Sequence, residues 1–215
     1  MNKRLIIFDF DGTLADTNAL ITKTMMMTID EMGLEKRTRE QCASCIGLPL
    51  ADCFKSLFPI SDEVSALCAA TYRRLFETNN VPGMVELFPH VFETIQQLHE
   101  KHFILTIATS RSHQSVAQFI RDFELSPYIS YVLGADDVER AKPDPFPVLK
   151  TMDELGFTPE RTLVVGDMSF DILMGQRAGA KTVGVTYGNG TLADLQECRA
   201  DYMIDDFADL LHVVV

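Results

Sequence analysis

The chain has 215 residues, of which 47% are hydrophobic and 23% are charged, and its formal net charge is -12. These values are typical of a folded globular protein and exclude a largely disordered chain. The acidic balance disfavours unaided binding to nucleic acid or to an anionic membrane surface. It also means that a phosphorylated ligand would need cations supplied locally by its own site.

The first residues lack the features of a targeting segment. Only four strongly apolar residues, Leu5 to Phe8, precede Asp9, which is too few for a signal peptide or for the roughly 20 residues of a transmembrane helix. We therefore expect a cytoplasmic protein. The five cysteines include one CxxC pair, Cys42 and Cys45, without a second pair at a suitable spacing, and we interpret them as reduced thiols.

The first predicted element is a buried strand at residues 5–8, and short apolar runs of the same kind recur later in the chain. These runs mostly do not alternate, as expected for strands of a parallel sheet whose two faces are both covered. Amphipathic helical stretches lie between them, so we predict an α/β fold with a doubly wound parallel sheet. The further strands are predicted at 104–108, 131–133, 163–165, 182–185 and 202–204, and the helices at 91–100, 114–123, 146–155 and 171–178.

The segment between about Asp16 and Glu86 interrupts this alternation. It contains no convincing strand and shows helical spacing of apolar residues, for example at Val64, Leu67, Thr71 and Leu75. We predict an all-helical insertion, in which the methionines 25–27 fill the core. The breaker Val81-Pro82-Gly83 near its end is a candidate hinge. The predicted division of the chain is 1–15 with 87–215 as the core and 16–86 as the insertion.

Two carboxylates, Asp9 and Asp11, follow the first strand directly and flank Phe10 ahead of a Gly12 turn. Ligands of open α/β sheets bind beyond the carboxyl ends of the strands. Aspartates at positions i and i+2 can converge there on one ligand, and Asp is an oxygen donor of the kind that Mg²⁺ prefers. An ordinary strand-terminating turn rich in Asp and Gly is the alternative interpretation.

A second acidic pair, Asp167 and Asp171, follows the predicted strand at 163–165. If this strand and the first one end at the same edge of the sheet, all four aspartates become neighbours. Crowded carboxylates cost free energy unless a cation or hydrogen bonds compensate for them. A divalent cation at this edge is the simplest compensation.

Two other strand ends carry groups suited to a phosphate. Thr109, Ser110 and Arg111 precede a predicted helix, where hydroxyls and free backbone N–H groups bind phosphate, although Ser and Thr there are also ordinary helix caps. Lys142 begins the sequence Lys-Pro-Asp-Pro and is the local cation that an acidic protein needs for a dianionic substrate. A lone lysine of this kind is more often a solvated surface charge.

These segments resemble the four motifs of the haloacid dehalogenase superfamily, in order and across nearly the whole chain. Ile46-Gly47-Leu48-Pro49-Leu50 resembles the family's cap loop, and 184–188 with 200–211 resemble its phosphoglycolate phosphatase branch. The resemblance implies a Rossmann-like core with a helical cap inserted after the first strand. The motif segments are Asp9–Leu14, Thr109-Ser110, Lys142–Pro145 and Gly166–Asp171.

The resemblance also implies roles for individual residues. Asp9 would attack phosphorus to form an aspartyl-phosphate, and Asp11 would act first as general acid and then as general base. Thr109 would hold phosphate oxygens, and Lys142 would offset the charge of the transferring group. The implied Mg²⁺ site consists of the Asp9 carboxylate, the Asp11 backbone carbonyl and Asp167, supported from outside by Asp171.

The implied substrate-binding positions are Gly12, Thr13, Ser110, Arg111 and Gly47. Arg111 stands where relatives more often have Lys or Asn, and two interpretations stay open: it binds an anionic substrate, or it points to solvent. The implied cofactor is Mg²⁺, and the implied partner is a small phosphorylated metabolite.

Several functions remain compatible with this pattern. A phosphatase for a phosphoglycolate-like phosphomonoester is the leading hypothesis, and a β-phosphoglucomutase-like mutase or a pyrophosphatase is the alternative. A non-catalytic binding protein is disfavoured because all of the motif residues are present. We expect no nucleic-acid or membrane partner, and the sequence leaves the exact substrate and the oligomeric state open.

Overall fold

Eight strands form within residues 4–81 and 83–214, the part of the chain that the computed structural model describes. Six of them build one sheet in which every neighbouring pair is parallel, as predicted, and the other two pair with each other. In chain order the strands are β1 (Leu5–Phe8), β2 (Ala15–Asp16), β3 (Glu86–Leu87), β4 (Ile104–Ala108), β5 (Ile129–Leu133), β6 (Thr162–Gly166), β7 (Lys181–Val185) and β8 (Tyr202–Ile204).

The large sheet has the order β5-β4-β1-β6-β7-β8, which places β1 between β4 and β6. Phe8, the last residue of β1, is level with Ile107 on β4 and with Val165 on β6. The residues that follow these three strands therefore lie side by side at one edge of the sheet. The predicted convergence of the strand ends is confirmed, and it occurs where open α/β sheets bind ligands.

Helices cover both faces of this sheet. Ile6 and Phe8 of β1 belong to one apolar cluster, whereas Leu5 and Ile7 belong to another on the opposite face. Coverage of both faces explains why the strand sequences are continuously apolar. The described helices are α1 (Asn18–Glu31), α2 (Arg39–Ala43), α3 (Leu50–Leu57), α4 (Asp62–Asn79), α5 (Val91–Glu100), α6 (His113–Asp122), α7 (Phe146–Leu155), α8 (Ser169–Arg177), α9 (Leu192–Glu197) and α10 (Leu210–Val213).

The helices α1 to α4 lie between β2 and β3, and α1 and α3 both pack on α4. The prediction of a helical segment is confirmed with one correction. Asp16 and Glu86 pair in an antiparallel ribbon of two residues per strand, formed by β2 and β3. Such a short ribbon leaves no alternating pattern in the sequence, so sequence patterns could not predict it.

Two side-chain predictions for this segment are wrong. Met25 is buried, but Met26 and Met27 are 40% and 38% exposed, because three consecutive residues of an α-helix point in three different directions. Leu67 in α4 is 59% exposed, and the buried face of that helix contains Tyr72 instead. Spacing alone predicted the helical segment correctly, but it did not separate buried positions such as Met25 from exposed ones such as Leu67.

Three further expectations concern single positions. Pro82, the middle residue of the candidate hinge, lies outside the described residues. Cys42 and Cys45 are buried, in keeping with their interpretation as internal thiols. Across residues 4–81 and 83–214, we find no helix with the length and apolar character needed to cross a membrane.

Candidate active site

Lys142 bridges two carboxylates at the carboxyl edge of the sheet. Its Nζ donates to Asp9 Oδ1 at 2.6 Å and to Asp171 Oδ1 at 2.7 Å. Asp9 follows β1 directly, and Asp171 lies in the first turn of α8. All three side chains are at most 6% exposed, so water screens their interaction only weakly.

A third carboxylate, Asp167, follows β6 and is fully buried. Its Oδ1 accepts a hydrogen bond from the Thr13 hydroxyl at 3.1 Å, and its Oδ2 accepts one from the Asn189 backbone N–H at 2.6 Å. Both oxygens are therefore held in fixed directions. We refer to Asp9, Lys142, Asp167 and Asp171 together as the acid–lysine cluster.

The tight turn after β1 presses against Asp167. Gly12 has φ of +87°, and a Cβ atom there would lie 2.1 Å from Asp167 Oδ2, so only glycine fits. Thr13 is fully buried, and its hydroxyl is committed to Asp167. The contacts of these two residues support a carboxylate of the acid–lysine cluster, and their binding of substrate stays a prediction.

The charges of the acid–lysine cluster shift one another. Burial raises the pKa of Asp9 well above its usual range; Lys142 opposes this shift, and Asp171 and Asp167 add to it. Burial, followed by repulsion from Asp171, raises the pKa of Asp167 to about 7. Burial lowers the pKa of Lys142, but Asp171 and Asp9 outweigh it and raise the pKa overall. One ammonium faces three carboxylates, which leaves negative charge without a partner.

These three carboxylates fit a metal ion. Asp9, Asp167 and Asp171 each offer one oxygen within 4.8 Å of the others, and the part of the chain that the structure describes contains no second such group of three His, Cys, Asp or Glu residues. Hard oxygen donors with excess negative charge suit Mg²⁺. The Asp11 side chain is not in this group, but the Asp11 carbonyl oxygen accepts a hydrogen bond from Asn189 Nδ2 at 3.4 Å.

The loop after β4 contacts the helical segment. Thr109 is buried, and its Oγ1 accepts a hydrogen bond from the Arg111 backbone N–H at 3.2 Å. The Ser110 hydroxyl donates to the Gly47 carbonyl oxygen at 2.5 Å. Gly47 has φ of +100°, a conformation that favours glycine. The residues predicted to bind phosphate and the predicted cap loop are thus in direct contact.

Arg111 points into the protein, so the solvent alternative is wrong. Its side chain is 8% exposed, and its guanidinium grips both carboxylate oxygens of Asp11. Nε lies 3.1 Å from Oδ1 and 3.0 Å from Oδ2, and Nη2 lies 2.6 Å from Oδ1. Burial lowers the pKa of Arg111, but Asp11 outweighs it and raises the pKa, so the guanidinium stays charged.

Known proteins match this chain over nearly all of its length. A family model described as haloacid dehalogenase-like hydrolase matches residues 6–185. The chain belongs to this family. A protein named pyrophosphatase PpaX from Halalkalibacterium halodurans is 36% identical over 214 residues, which cover 100% of this chain and 98% of that protein. A protein of the same name from Anoxybacillus flavithermus is also 36% identical, with the same coverage.

Solved structures agree with the fold of this haloacid dehalogenase-like hydrolase. A predicted phosphoglycolate phosphatase from Haemophilus somnus 129PT has a TM-score of 0.87 and 25% identity, with 99% of this chain and 98% of that one covered. A predicted phosphatase from Clostridium acetobutylicum has a TM-score of 0.90 and 21% identity, covering 100% and 99% of the two chains, and it supports the fold alone. The chain is therefore an enzyme, a phosphatase-type hydrolase of phosphoester bonds.

The sequence did not indicate several residues that contact the candidate site of this hydrolase. Asn189 contacts both Asp167 and the Asp11 carbonyl, and it lies in a glycine-rich loop after β7. A polar loop after a parallel strand could have identified it. Tyr72 and Phe76 of α4 reach Arg111 from the helical segment. The Phe76 ring lies over the guanidinium, with its centroid 4.9 Å from the guanidinium carbon. Burial raises the pKa of Tyr72, and the charge of Arg111 partly opposes this shift. Helical spacing alone does not distinguish these two aromatic residues from core residues.

Proposed function

We propose that this enzyme is a magnesium-dependent phosphohydrolase that acts through an aspartyl-phosphate on Asp9, with inorganic pyrophosphate as its first candidate substrate. The observation that carries this proposal is the bridge from Lys142 to Asp9 and Asp171. A buried carboxylate at a strand end, oriented by a buried ammonium, has the geometry of an activated nucleophile.

In the first half-reaction, an oxygen of Asp9 attacks phosphorus. A bond forms between this oxygen and phosphorus while the bond from phosphorus to the leaving oxygen breaks. Asp11 gives a proton to the leaving oxygen, as expected of a general acid. Lys142, the Thr109 hydroxyl and the Ser110 backbone N–H offset the charge on the transferring phosphoryl oxygens.

In the second half-reaction, water attacks the same phosphorus. Asp11 takes a proton from this water, and the bond between phosphorus and Asp9 breaks. Orthophosphate leaves, and Asp9 returns as a carboxylate. Because one residue serves as acid and then as base, Asp11 affects both half-reactions.

Mg²⁺ would be held by Asp9 and Asp167, together with the backbone carbonyl of Asp11, and Asp171 would support the set through its contacts with Lys142 and the Met168 N–H. When bound, it supplies charge stabilisation for the phosphoryl oxygens. The surplus of negative charge in the acid–lysine cluster supports this assignment. Phe76 of α4 contacts Arg111, and the carbonyl of Gly47, which precedes α3, contacts Ser110. These contacts support the proposal that residues 16–86 form a cap over a core made of the rest of the chain.

The choice of substrate rests on the relatives. The two pyrophosphatases named above match the chain at 36% identity over its full length, whereas the phosphoglycolate phosphatase-like structure matches at 25%. We therefore place pyrophosphate first and phosphoglycolate second. Both are small, in keeping with a site that lies beneath a contacting loop.

The test is phosphate release from a panel that contains pyrophosphate, phosphoglycolate, and both glucose phosphates, with Mg²⁺ and with chelator. Asp9→Asn is nearly isosteric and should fold but lose turnover of every substrate. Rapid acid quenching of the wild type should yield a protein with one phosphate on Asp9, found by mass spectrometry. Full turnover by Asp9→Asn, or an interconversion of the glucose phosphates that outpaces phosphate release, would contradict the proposal.

A further inference from the structure

Asp11, the proposed acid and base, has no free carboxylate oxygen. Arg111 Nε lies 3.1 Å from Oδ1 and 3.0 Å from Oδ2, and Nη2 lies 2.6 Å from Oδ1. This is a forked arrangement of the kind that makes Arg–carboxylate pairs strong and directional. While both oxygens accept hydrogen bonds from one guanidinium, the carboxylate is directed at Arg111 and must turn before it can serve a leaving oxygen.

The surroundings of Arg111 limit where its guanidinium can move. Phe76 and Phe119 each lie 4.9 Å from the guanidinium carbon, and Phe10 lies 5.9 Å away. Nη1 donates to the Ser115 hydroxyl at 3.0 Å. A buried cation that gives up Asp11 must gain another anion, because it cannot exchange its partner for bulk water.

The position of Arg111 connects the core with the helical segment. Arg111 follows β4, Asp11 follows β1, and Phe76 belongs to α4. Tyr72, one turn earlier on α4, stacks on Phe76 with ring centroids 5.8 Å apart. Asp9 also acts on the charge of Arg111, so the guanidinium lies near the proposed nucleophile. Under the proposed function, the leaving group extends toward this boundary.

We propose that Arg111 is a specificity-determining residue that releases Asp11 only when the leaving group brings an anion of its own. This inference rests on the proposed function. The second phosphate of pyrophosphate, or the carboxylate of phosphoglycolate, replaces Asp11 on the guanidinium fork. The freed Asp11 carboxylate takes up a proton from solvent, turns to the leaving oxygen and gives it this proton as the bond to phosphorus breaks. A neutral leaving group offers Arg111 no such replacement, and Asp11 stays engaged.

The test compares two nearly isosteric substrates, phosphoglycolate and 2-hydroxyethyl phosphate, which differ only in whether the leaving group is anionic. Pyrophosphate is measured beside them. In Arg111→Gln, kcat/KM for pyrophosphate and phosphoglycolate should fall by about 10- to 100-fold, the loss typical of a charged hydrogen-bonding partner. With 2-hydroxyethyl phosphate the same variant should gain kcat, because Asp11 is no longer engaged.

Arg111→Lys serves as a second variant because it keeps the buried charge and loses the fork. It should retain part of the preference for anionic leaving groups. Arg121→Gln, an exposed arginine on the same helix as Ser115, is the matched control and should behave as the wild type. Melting curves for each variant separate a loss of folding from a change in specificity.

A binding measurement gives a readout without turnover. In the Asp9→Asn background, adding Arg111→Gln should weaken pyrophosphate binding by about 10-fold or more while orthophosphate binding changes little. An equal loss of kcat/KM on all three substrates in both Arg111 variants would overturn the inference, since Arg111 would then only support the structure around Asp11. That result would leave the proposed function intact, which fails instead if Asp9→Asn keeps its activity.

Discussion

The two sides of the candidate site are built from different kinds of interaction. On the core side, three carboxylates and one ammonium lie buried at the ends of neighbouring strands, with both oxygens of Asp167, both of Asp171 and Oδ1 of Asp9 accepting hydrogen bonds. On the cap side, Phe76 lies over Arg111, the Ser110 hydroxyl donates to the Gly47 carbonyl, and Asn18 Nδ2 donates to Asn189 Oδ1. Fixed charge surrounds the place of the phosphoryl group, and adaptable packing surrounds the place of the leaving group.

This difference assigns binding of the phosphoryl group to the core side and selection of the leaving group to the cap side. A phosphoryl group is the same in every substrate, so a rigid and strongly charged site suits it. Leaving groups differ, and aromatic and backbone contacts can be altered without burying an unpaired charge. Changes on the core side should therefore affect all substrates alike, whereas changes on the cap side should affect their ranking.

Removal of the metal should have the largest effect. Chelation should abolish turnover of every substrate, and Mg²⁺ should restore it, while Ca²⁺ binds with little turnover because its coordination shell is larger and looser. Mg²⁺ at about 100 times its dissociation constant should add about 2.7 kcal/mol to the free energy of unfolding, measured by thermal melting. Unchanged activity after exhaustive chelation would exclude a metal-dependent core.

The pH dependence of metal binding gives a second check on this prediction. The pKa of Asp167 is raised to about 7, so a proton competes with the metal at lower pH. The apparent affinity for Mg²⁺, measured by calorimetry, should therefore fall as the pH falls below about 7. Asp167→Asn should bind Mg²⁺ weakly across the whole range and lose this dependence.

Lys142→Met should have the next largest effect. It leaves Asp9 and Asp171 buried without their cation, which costs about 3–5 kcal/mol of stability by analogy with other broken buried pairs. The acids can then avoid the cost by binding protons in the folded state, so the variant should gain stability relative to the wild type as the pH falls. Denaturant unfolding between pH 5 and 8 measures this trend.

Turnover provides the second readout for Lys142→Met. All substrates should lose activity by about 10² to 10³, the scale of one removed electrostatic stabiliser. The exposed Lys101→Met is the matched control and should leave activity unchanged. Loss confined to one substrate would break the proposed uniformity of the core side.

Asp11→Asn should slow both half-reactions by about 10² to 10⁴, the scale of general acid–base catalysis. Acetyl phosphate should be affected least in the first half-reaction, because its leaving group needs no proton. The phosphorylated enzyme should then accumulate, since the second half-reaction still needs a base. Quenched-flow mass spectrometry follows this species, and its failure to accumulate would argue against the dual role of Asp11.

Gly47→Phe should have the smallest effect on catalysis, and this effect should fall on selectivity. A side chain at Gly47 would start 3.3 Å from Phe170 and 3.4 Å from Met168, and its φ of +100° is strained for any other residue. The ranking of pyrophosphate, phosphoglycolate and larger phosphomonoesters should change by about 10-fold, while phosphorylation by acetyl phosphate changes less.

Gly33→Phe separates strain from contact in this experiment. Gly33 also has a positive φ, of +65°, but no atom lies within 4 Å of the place where its Cβ would be. Gly33→Phe should lower the free energy of unfolding by about 1–2 kcal/mol through the same kind of backbone strain. Thermal melting measures this loss, and the ranking of substrates should stay unchanged. Equal losses on all substrates for Gly47→Phe would mean that the cap loop does not select.

The core side could be predicted from the sequence because its aspartates are placed by the strands that directly precede them. Asp9 and Asp167 each follow a continuous apolar strand, and parallel strands bring their ends together. Lys142 needed the resemblance to a family, since a lysine in a proline-containing loop has no strand directly before it to define its position. The six strands of the sheet and the helices α5 to α8 were predictable for the same reason, from continuous apolar runs and from helical spacing, whereas the short helices α9 and α10 were not predicted.

The cap side could not be predicted in the same way. The pairing of Arg111 with Asp11 joins residues 100 positions apart, and a guanidinium can adopt many directions from the same backbone. Asn189 reaches Asp167 from a loop after a strand that the sequence did identify, yet nothing in the sequence sets the direction of that loop. The exposed Met26 and Met27 are a related case, because apolar character alone does not determine the buried face of a helix.

The hydrogen bond from Ser110 to Gly47 uses a main-chain carbonyl of the cap loop. Because the acceptor is a backbone atom, this contact does not depend on which side chains neighbour Gly47. Ile46 and Leu48 could therefore differ in related proteins while the loop keeps its position against Ser110. Gly47 is the one position of that loop where the backbone conformation restricts such drift. New substrate preferences could thus arise by side-chain changes next to this backbone hydrogen bond, while the acid–lysine cluster stays the same.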